Sequence, residues 1–401
     1  MGYSKFRRAV AVAAAVVASV MATASVATIA PQPAAAAAGG GQGAGFSPGS
    51  MILWGSDADL ARDLDAMAAT GAAWLRLDFD WPSIEQQPGI FTWGPTDRVV
   101  TAARARGLSI LALPTYTPAW LRPAGTSDKQ APSDPAAFAA FVAAATARYA
   151  PLGVSTWEIW NEPNIVQFWQ PRPDPAAYTA LLVAASSAIK AVDPAARVLS
   201  GGLSPAVDAA DGSQISPLTF LAGIYAAGGG PALDAVASHP YSFPGRPLDP
   251  ATANWNQFYK LPQLHQVMVA NGDGAKQIWG TEYGAPTAGP GSVSEAEQAA
   301  YVSEAYAAFA SWSWAGPLLW YSQRDAGADP GDREHHFGLL NRDYSPKPAA
   351  AAFARAVGAP AAQAQPVTVP PVTVPPSPVV PPVTVPPVTV PPVTVPPSPV
   401  V

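Results

Sequence analysis

Glu162 and Glu282 each follow a short apolar run and precede a residue that breaks it. Glu162 comes after Thr156–Trp160 and Asn161 and before Pro163-Asn164. Glu282 comes after Gln277–Gly280 and Thr281 and before Tyr283-Gly284. Paired carboxyl groups among aromatic residues suit cleavage of a glycosidic bond. One carboxylic acid protonates the leaving oxygen, and a second carboxylate meets the oxocarbenium-like carbon. Two carboxyls held about 5 Å apart cannot both be charged easily, so their pKa values separate. Tryptophans offer flat apolar faces to sugar rings; Asn, His and Arg offer hydrogen bonds to hydroxyls. A single strand-end glutamate could equally cap a helix or pair with an arginine. Two of them, each in its own motif, favour the chemical reading.

The elements that must position this pair follow from the apolar pattern. Eight short apolar runs, bounded by turn residues, read as buried parallel strands: Met51–Trp54, Ala73–Asp78, Ser109–Leu113, Thr156–Trp160, Arg197–Ser200, Ala235–Ser238, Gln277–Gly280 and Pro317–Tyr321. Amphipathic, Ala-rich segments lie between them and carry helix-start signals. Asp57 precedes Leu60, Leu64 and Met67, and Ser133-Asp134-Pro135 precedes Phe138–Tyr149. Asp174-Pro175 precedes Tyr178–Val192, and Ser294 with Glu297 forms a capping box. The alternation predicts an α/β chain folded as a (β/α)8 TIM barrel, with about 40 residues per unit. The alternative is a doubly wound open sheet. Trp54-Gly55-Ser56-Asp57 cannot cradle a pyrophosphate, which counts against a nucleotide-binding sheet. In a barrel the reactive residues stand at the carboxyl ends of the strands. Those ends hold Arg76, Asp78 and Asp80, then Tyr116 and Trp120, Asn161 and Glu162, His239 and Tyr241, Glu282, and Trp320-Tyr321-Ser322.

Trp157-Glu158-Ile159-Trp160-Asn161-Glu162-Pro163-Asn164 resembles the acid/base strand of clan A glycoside hydrolases, the cellulase and family 39 type barrels. Trp279-Gly280-Thr281-Glu282-Tyr283-Gly284 resembles the nucleophile strand of the same clan. The resemblance spans the chain from Trp74-Leu75-Arg76 to Phe337-Gly338-Leu339, and its texture is that of family 39-like bacterial polysaccharide hydrolases. It implies a retaining mechanism with Glu162 as general acid/base and Glu282 as nucleophile. It further implies that Asn161 holds the sugar 2-hydroxyl, Tyr241 hydrogen-bonds the nucleophile, Arg76 supports it and Trp320 floors the subsite around it. His239, Tyr116 and Trp120 complete the candidate sugar-contacting set. No cofactor and no metal is expected, and substrate identity does not carry over.

Other residues have weaker signals. Glu158 shares the strand of Glu162; alternation places it, Trp160 and Glu162 on one face, pointing into the barrel. It reads as a barrel-interior ion pair with Arg76, with a catalytic role as the alternative. His335 and His336 with Asp325, Asp329, Asp332 and Glu334 read as a solvated or sugar-contacting loop, with a metal site as the alternative. Glu85 reads as a loop or helix-start residue. Trp120 and Trp169 read as outer sugar platforms or as loop anchors.

The two ends of the chain differ from the middle. Of 401 residues only 12% are charged, and none of these follows Arg355. Lys5, Arg7 and Arg8 precede an uncharged stretch, Ala9–Ala30, and small residues, as in an export signal. The alternative is a membrane anchor. Pro366–Val401 holds 15 prolines in repeats of Pro-Val-Thr-Val-Pro. It is expected to be disordered or an extended polyproline II rod reaching about 110 Å, a spacer or a cell-wall attachment. The expected division is 1–38 signal peptide and Ala-rich linker start, 39–45 Gly-rich linker, 46–358 catalytic barrel and 359–401 tail. The protein is therefore expected outside the cytoplasm, secreted or cell-wall associated. Net charge is −6, with no basic patch in the middle, which argues against nucleic acid and anionic membranes as partners. The absence of cysteine excludes disulfides, thiol catalysis and Cys-ligated metals. The expected partner is a polysaccharide or oligosaccharide substrate. A secreted retaining glycosidase is the leading reading. A transglycosylase and a non-catalytic carbohydrate- or wall-binding protein on a barrel scaffold are the alternatives.

Overall fold

A computed structural model describes residues 43–358. The expected signal segment, most of the Gly-rich linker and the Pro-rich tail lie outside the described residues. The strands are β1 (Ala44–Phe46), β2 (Trp74–Asp80), β3 (Ser109–Thr115), β4 (Thr156–Asn161), β5 (Arg197–Gly202), β6 (Ala235–Ser238), β7 (Gln277–Tyr283) and β8 (Ala315–Trp320). They pair in order and close through β1 and β8 into a parallel barrel. The helices are α1 (Asp57–Ala69), the single-turn α2 (Trp81–Ile84), α3 (Gly94–Ala105), α4 (Pro135–Tyr149), α5 (Pro175–Val192), α6 (Pro217–Ala226), α7 (Gln257–Ala270), α8 (Glu295–Ser311) and α9 (Pro348–Ala356). This is the (β/α)8 barrel that the alternation predicts.

The helix starts follow from side chains that take up orphan backbone donors. Ser56, Asp134, Asp174, Ser216 and Asn256 each accept a first-turn N–H with the side chain. Ser294 and Glu297 form the reciprocal box that their spacing predicts.

Seven of the eight expected strands are present, and the first is displaced. Met51–Leu53 belongs to a 3₁₀ turn, with Met51 mostly exposed; the strand is Ala44–Phe46. It is short and centred on glycine because β2 lies too close for a side chain: a Cβ on Gly45 would collide with the Trp74 backbone. A strand of three residues with glycine in its middle carries no apolar run to read. It also lies partly within the expected Gly-rich linker.

Alternation along the strands builds the core in layers. Leu75, Leu77 and Phe79 of β2, Ile110 and Ala112 of β3, and Trp157 and Ile159 of β4 pack outward into the large cluster shared with the helices. Leu111, Leu199, Ala235, Ala237, Trp279 and Leu319, with Trp74, form a separate apolar plug inside the barrel. Further along the same inward faces stand Arg76, Glu158 and Thr281, a buried polar layer joined by hydrogen bonds. The next residues toward the carboxyl ends form the mouth.

Candidate active site

Two local breaks in alternation aim the glutamates. On β7, Trp279 and Thr281 face inward and Ile278 outward. Regular alternation would turn Glu282 away from the barrel interior. The β7–β8 register shifts between Gly280 and Tyr283, and Glu282 reaches the cavity while Tyr283 packs in the outer cluster. A bulge is the means by which a strand re-aims a side chain. On β4, Trp160 has φ 70° and Glu162 φ 46°, left-handed values that cost energy for residues with a Cβ. The Trp160 ring consequently packs outward against Phe138 and Trp169, and its Nε1 donates to the Phe168 carbonyl at 2.8 Å. Glu158 and Glu162 do face the interior, but Trp160 does not share their face.

The resulting cavity has a volume of about 760 Å³ and is lined by both glutamates, Arg76, Asp78, Tyr116, Asn161 and Tyr241, with Phe168, Phe243, Trp255, Tyr321 and Phe337 around them. One carboxylate oxygen of Glu162, one of Glu282 and a nitrogen of His239 lie within 4.8 Å of one another. This trio is also a potential set of metal donors, but its members already have partners suited to another task.

Arg76 organises the polar layer. Its Nε donates to Glu158 Oε2 at 2.8 Å and its Nη2 to Glu158 Oε1 at 3.0 Å. Nη2 also donates to Asn161 Oδ1 at 2.8 Å, and Nη1 donates to Glu282 Oε1. Glu158 is thus the interior ion-pair partner of Arg76, as expected. It also accepts from the Gly202 N–H at 2.8 Å and from Thr281 Oγ1 at 3.2 Å. Tyr241 donates its hydroxyl to Glu282 Oε2 at 3.0 Å. With its Oδ1 bound by Arg76, Asn161 keeps its Nδ2 donors for a ligand.

His239 is fully buried under the two glutamates. Its Nδ1 lies 2.8 Å from Glu162 Oε1 and 3.5 Å from Glu282 Oε2, and its Nε2 lies 3.3 Å from Arg76 Nη2. Arginine only donates, so the neutral ring carries its proton on Nδ1, facing the carboxylates. Burial disfavours the charged imidazole, yet Glu282 and Glu162 together hold its pKa above the usual value. Burial likewise opposes ionisation of Glu282, but the charges of His239 and Arg76 and the Tyr241 hydroxyl hold its carboxyl below the usual range.

Two expected ligand contacts are corrected. Trp320 does not floor the cavity. Parity on β8 places it with Leu318 in the outer cluster, against Tyr283, with its Nε1 donating to the Phe337 carbonyl at 3.0 Å. The next residue, Tyr321, lines the cavity instead. Trp120 is a loop anchor: its ring packs edge-on against Trp81 and its Nε1 donates to the Glu85 carbonyl at 2.9 Å. Trp169 is likewise buried between Trp160 and Tyr178. Glu85 follows α2 and ties its loop, accepting from Trp81 Nε1 and the Gly89 N–H. His335 and His336 spend ring nitrogens on the backbone of Asp329. Tyr116 lines the cavity. Asp78 and the aromatics of the longer loops, among them Trp255 and Phe243, had no assigned role. Asp78 could have been found by parity, two residues beyond Arg76; the loop aromatics follow no period.

The sequence from residue 37 to residue 316 matches the family described as cellulase, glycosyl hydrolase family 5. The chain belongs to this cellulase family. A solved family 39 glycoside hydrolase from Bacteroides cellulosilyticus WH2 has a similar fold, with TM-score 0.64 and 24% identity over 79% of this chain and 64% of that one. A GH5_18 protein from Streptomyces cattleya, solved with GlcNAc, gives TM-score 0.61 and 21% identity over 79% of each chain. An exo-β-1,4-mannosidase from Opitutaceae bacterium strain TAV5 gives 0.58 and 21%, over 79% of this chain and 59% of that one. The cellulase-family chain thus spans less than two thirds of the first and third of these proteins. At such identities the likeness is one of fold. No curated protein matches the chain.

Proposed function

We propose that the protein is a retaining glycoside hydrolase, exported from the cytoplasm, that cleaves a polysaccharide or oligosaccharide by double displacement. The observation that carries this reading is the close approach of the Glu162 and Glu282 carboxylates across the cavity, with oxygens inside 4.8 Å. A retaining pair stands about 5–5.5 Å apart, whereas an inverting pair needs about 6.5–9.5 Å to admit a water. Membership of the cellulase family supports the same class of reaction.

In the first displacement Glu282 attacks the anomeric carbon, and Glu162 gives its proton to the departing glycosidic oxygen. A bond from carbon to the Glu282 carboxylate replaces the bond to the leaving sugar. Arg76 and Tyr241 hold one oxygen each of Glu282, which orients the carboxylate for attack. In the second displacement Glu162, now ionised, takes a proton from water as the water's oxygen displaces Glu282. The His239 N–H, within reach of both carboxylates, follows the negative charge as it moves between them. Export rests on the basic start and uncharged stretch of residues 5–30.

The test is hydrolysis of a panel of bacterial and plant polysaccharides and aryl glycosides, with the first-formed anomer read by NMR. Retention of configuration is expected. Inversion would overturn the mechanism, and a ligand that binds without being cleaved would favour the non-catalytic reading.

A further inference from the structure

The Asp78 carboxylate stands in the cavity wall. It stands on β2 two residues beyond Arg76, so both point to the same face. It lines the cavity beside Glu282, Arg76 and Tyr116. Among the described residues it forms no hydrogen bond and no ion pair. On the neighbouring β3, just past the strand end, Tyr116 is held by its ring alone. Trp160 meets it edge-on, Phe168 stacks on it, and Lys129 Nζ lies 3.1 Å from its centroid. The Tyr116 hydroxyl also makes no hydrogen bond among the described residues, although it feels the charges of Asp78 and Glu162. Neighbouring charged and phenolic groups are engaged by protein: Arg76 by Glu158 and Glu282, Tyr241 by Glu282 and Glu162 by His239.

A half-buried carboxylate and hydroxyl that face the cavity without protein partners are free to hydrogen-bond a ligand in place of water. The carboxylate needs donors; the phenol hydroxyl can give its proton to an acceptor. A sugar hydroxyl does both, donating to Asp78 and accepting from Tyr116. An ammonium group could answer only the carboxylate, and a second carboxylate would be repelled by it.

We propose that Asp78, with Tyr116, reads ring hydroxyls of a neutral sugar beside the two glutamates and excludes uronic acids from that position. This rests on the glycosidase reading above and narrows its substrate class. Asp78 serves here as a specificity residue and takes no part in bond making.

The test compares wild type with Asp78→Asn and Asp78→Ala on neutral gluco-, manno- and xylo-oligosaccharides and on polyuronides. Neutral substrates should be cleaved and polyuronides refused. Losing charge-assisted hydrogen bonds should raise KM of Asp78→Asn about 10- to 100-fold, with kcat changed much less. Calorimetric binding of the neutral product should weaken in parallel. Neither variant should melt below wild type, because no protein contact is lost; a clear drop in Tm would make Asp78 structural and overturn the proposal. Unchanged KM, or preferential cleavage of polyuronides by wild type, would overturn it while leaving the glycosidase reading intact. If wild type cleaves nothing in the panel, the glycosidase reading fails and this proposal falls with it.

Discussion

Glu158 grips Arg76 through two hydrogen bonds, at 2.8 and 3.0 Å, one layer beneath the glutamates that meet the cavity. This fork fixes the plane of the guanidinium, and the guanidinium in turn reaches Asn161, His239 and Glu282. Glu158 itself is fully buried. It acts on the cavity through Arg76 and needs no contact with the ligand.

Removing one member of such a buried pair leaves a charge without its partner. Glu158→Ala should therefore cost about 3–5 kcal/mol of folding stability, measured by denaturant unfolding. Activity should fall as well, because Arg76 loses its orientation. Glu158→Gln, which keeps the shape and part of the hydrogen bonding, should lose less of both.

Tyr241 supplies Glu282 with a hydroxyl donor at 3.0 Å. A hydrogen bond to a charged group contributes about 1.5–3 kcal/mol, and about 1.4 kcal/mol is a factor of ten in rate. Tyr241→Phe should reduce kcat by about 10- to 100-fold, with little change in Tm. Steady-state kinetics on any accepted substrate will read this.

Gly202 lies against His239 so closely that a Cβ there would meet the ring at Nε2. Its N–H also donates to Glu158 at 2.8 Å. Gly202→Ala should displace the imidazole from its place between Arg76 and the two carboxylates. The expected outcome is a loss of activity larger than the loss of stability, checked by kcat/KM alongside the melting temperature.

Burial raises the Asp78 carboxyl to about 6, Arg76 pulling it down and Glu282, Asp80 and Glu158 pushing it up. A folded-state value above the unfolded one of about 3.9 means that folding retains a proton which the unfolded chain releases. Stability should fall as pH rises from about 4 to about 6 and then level off, as far as this group contributes. Asp78→Asn removes that loss, so its Tm should overtake wild type across this window; equal profiles would contradict the assignment. In kcat/KM the wild type should show an inflection near pH 6 that the variant lacks. Glu282, held below the usual carboxylate range, stays ionised under more acidic conditions.

Periodicity made the architecture readable, and its interruptions account for what was not. The runs on β2 to β8 and the caps at Asp134, Asp174 and Ser294 locate the barrel units within a few residues. β1 was hidden because Gly45 must lie against Trp74 and leaves no apolar signature. The glutamates were recognisable by motif, but the geometry that aims them was not. A β7 bulge and left-handed residues at Trp160 and Glu162 replace simple alternation. Trp320 and Tyr321 show the opposite error: regular parity on β8 sends the tryptophan outward, and only the next residue lines the cavity. Trp255 and Phe243 lie in the irregular segment between β6 and α7, where no period predicts direction.

The division of labour between Glu162 and Glu282 is tested most directly by azide rescue on an activated aryl glycoside that the wild type accepts. Such a substrate leaves without a proton, so Glu162→Ala should still form the glycosyl–Glu282 bond and release a burst of phenol. Azide needs no general base and should restore turnover, giving a glycosyl azide of retained configuration. Glu282→Ala should be inactive, and any azide product from it should be inverted. A retained azide product from Glu282→Ala would show the two roles to be exchanged. Inversion in the rescued Glu162→Ala variant would contradict double displacement itself.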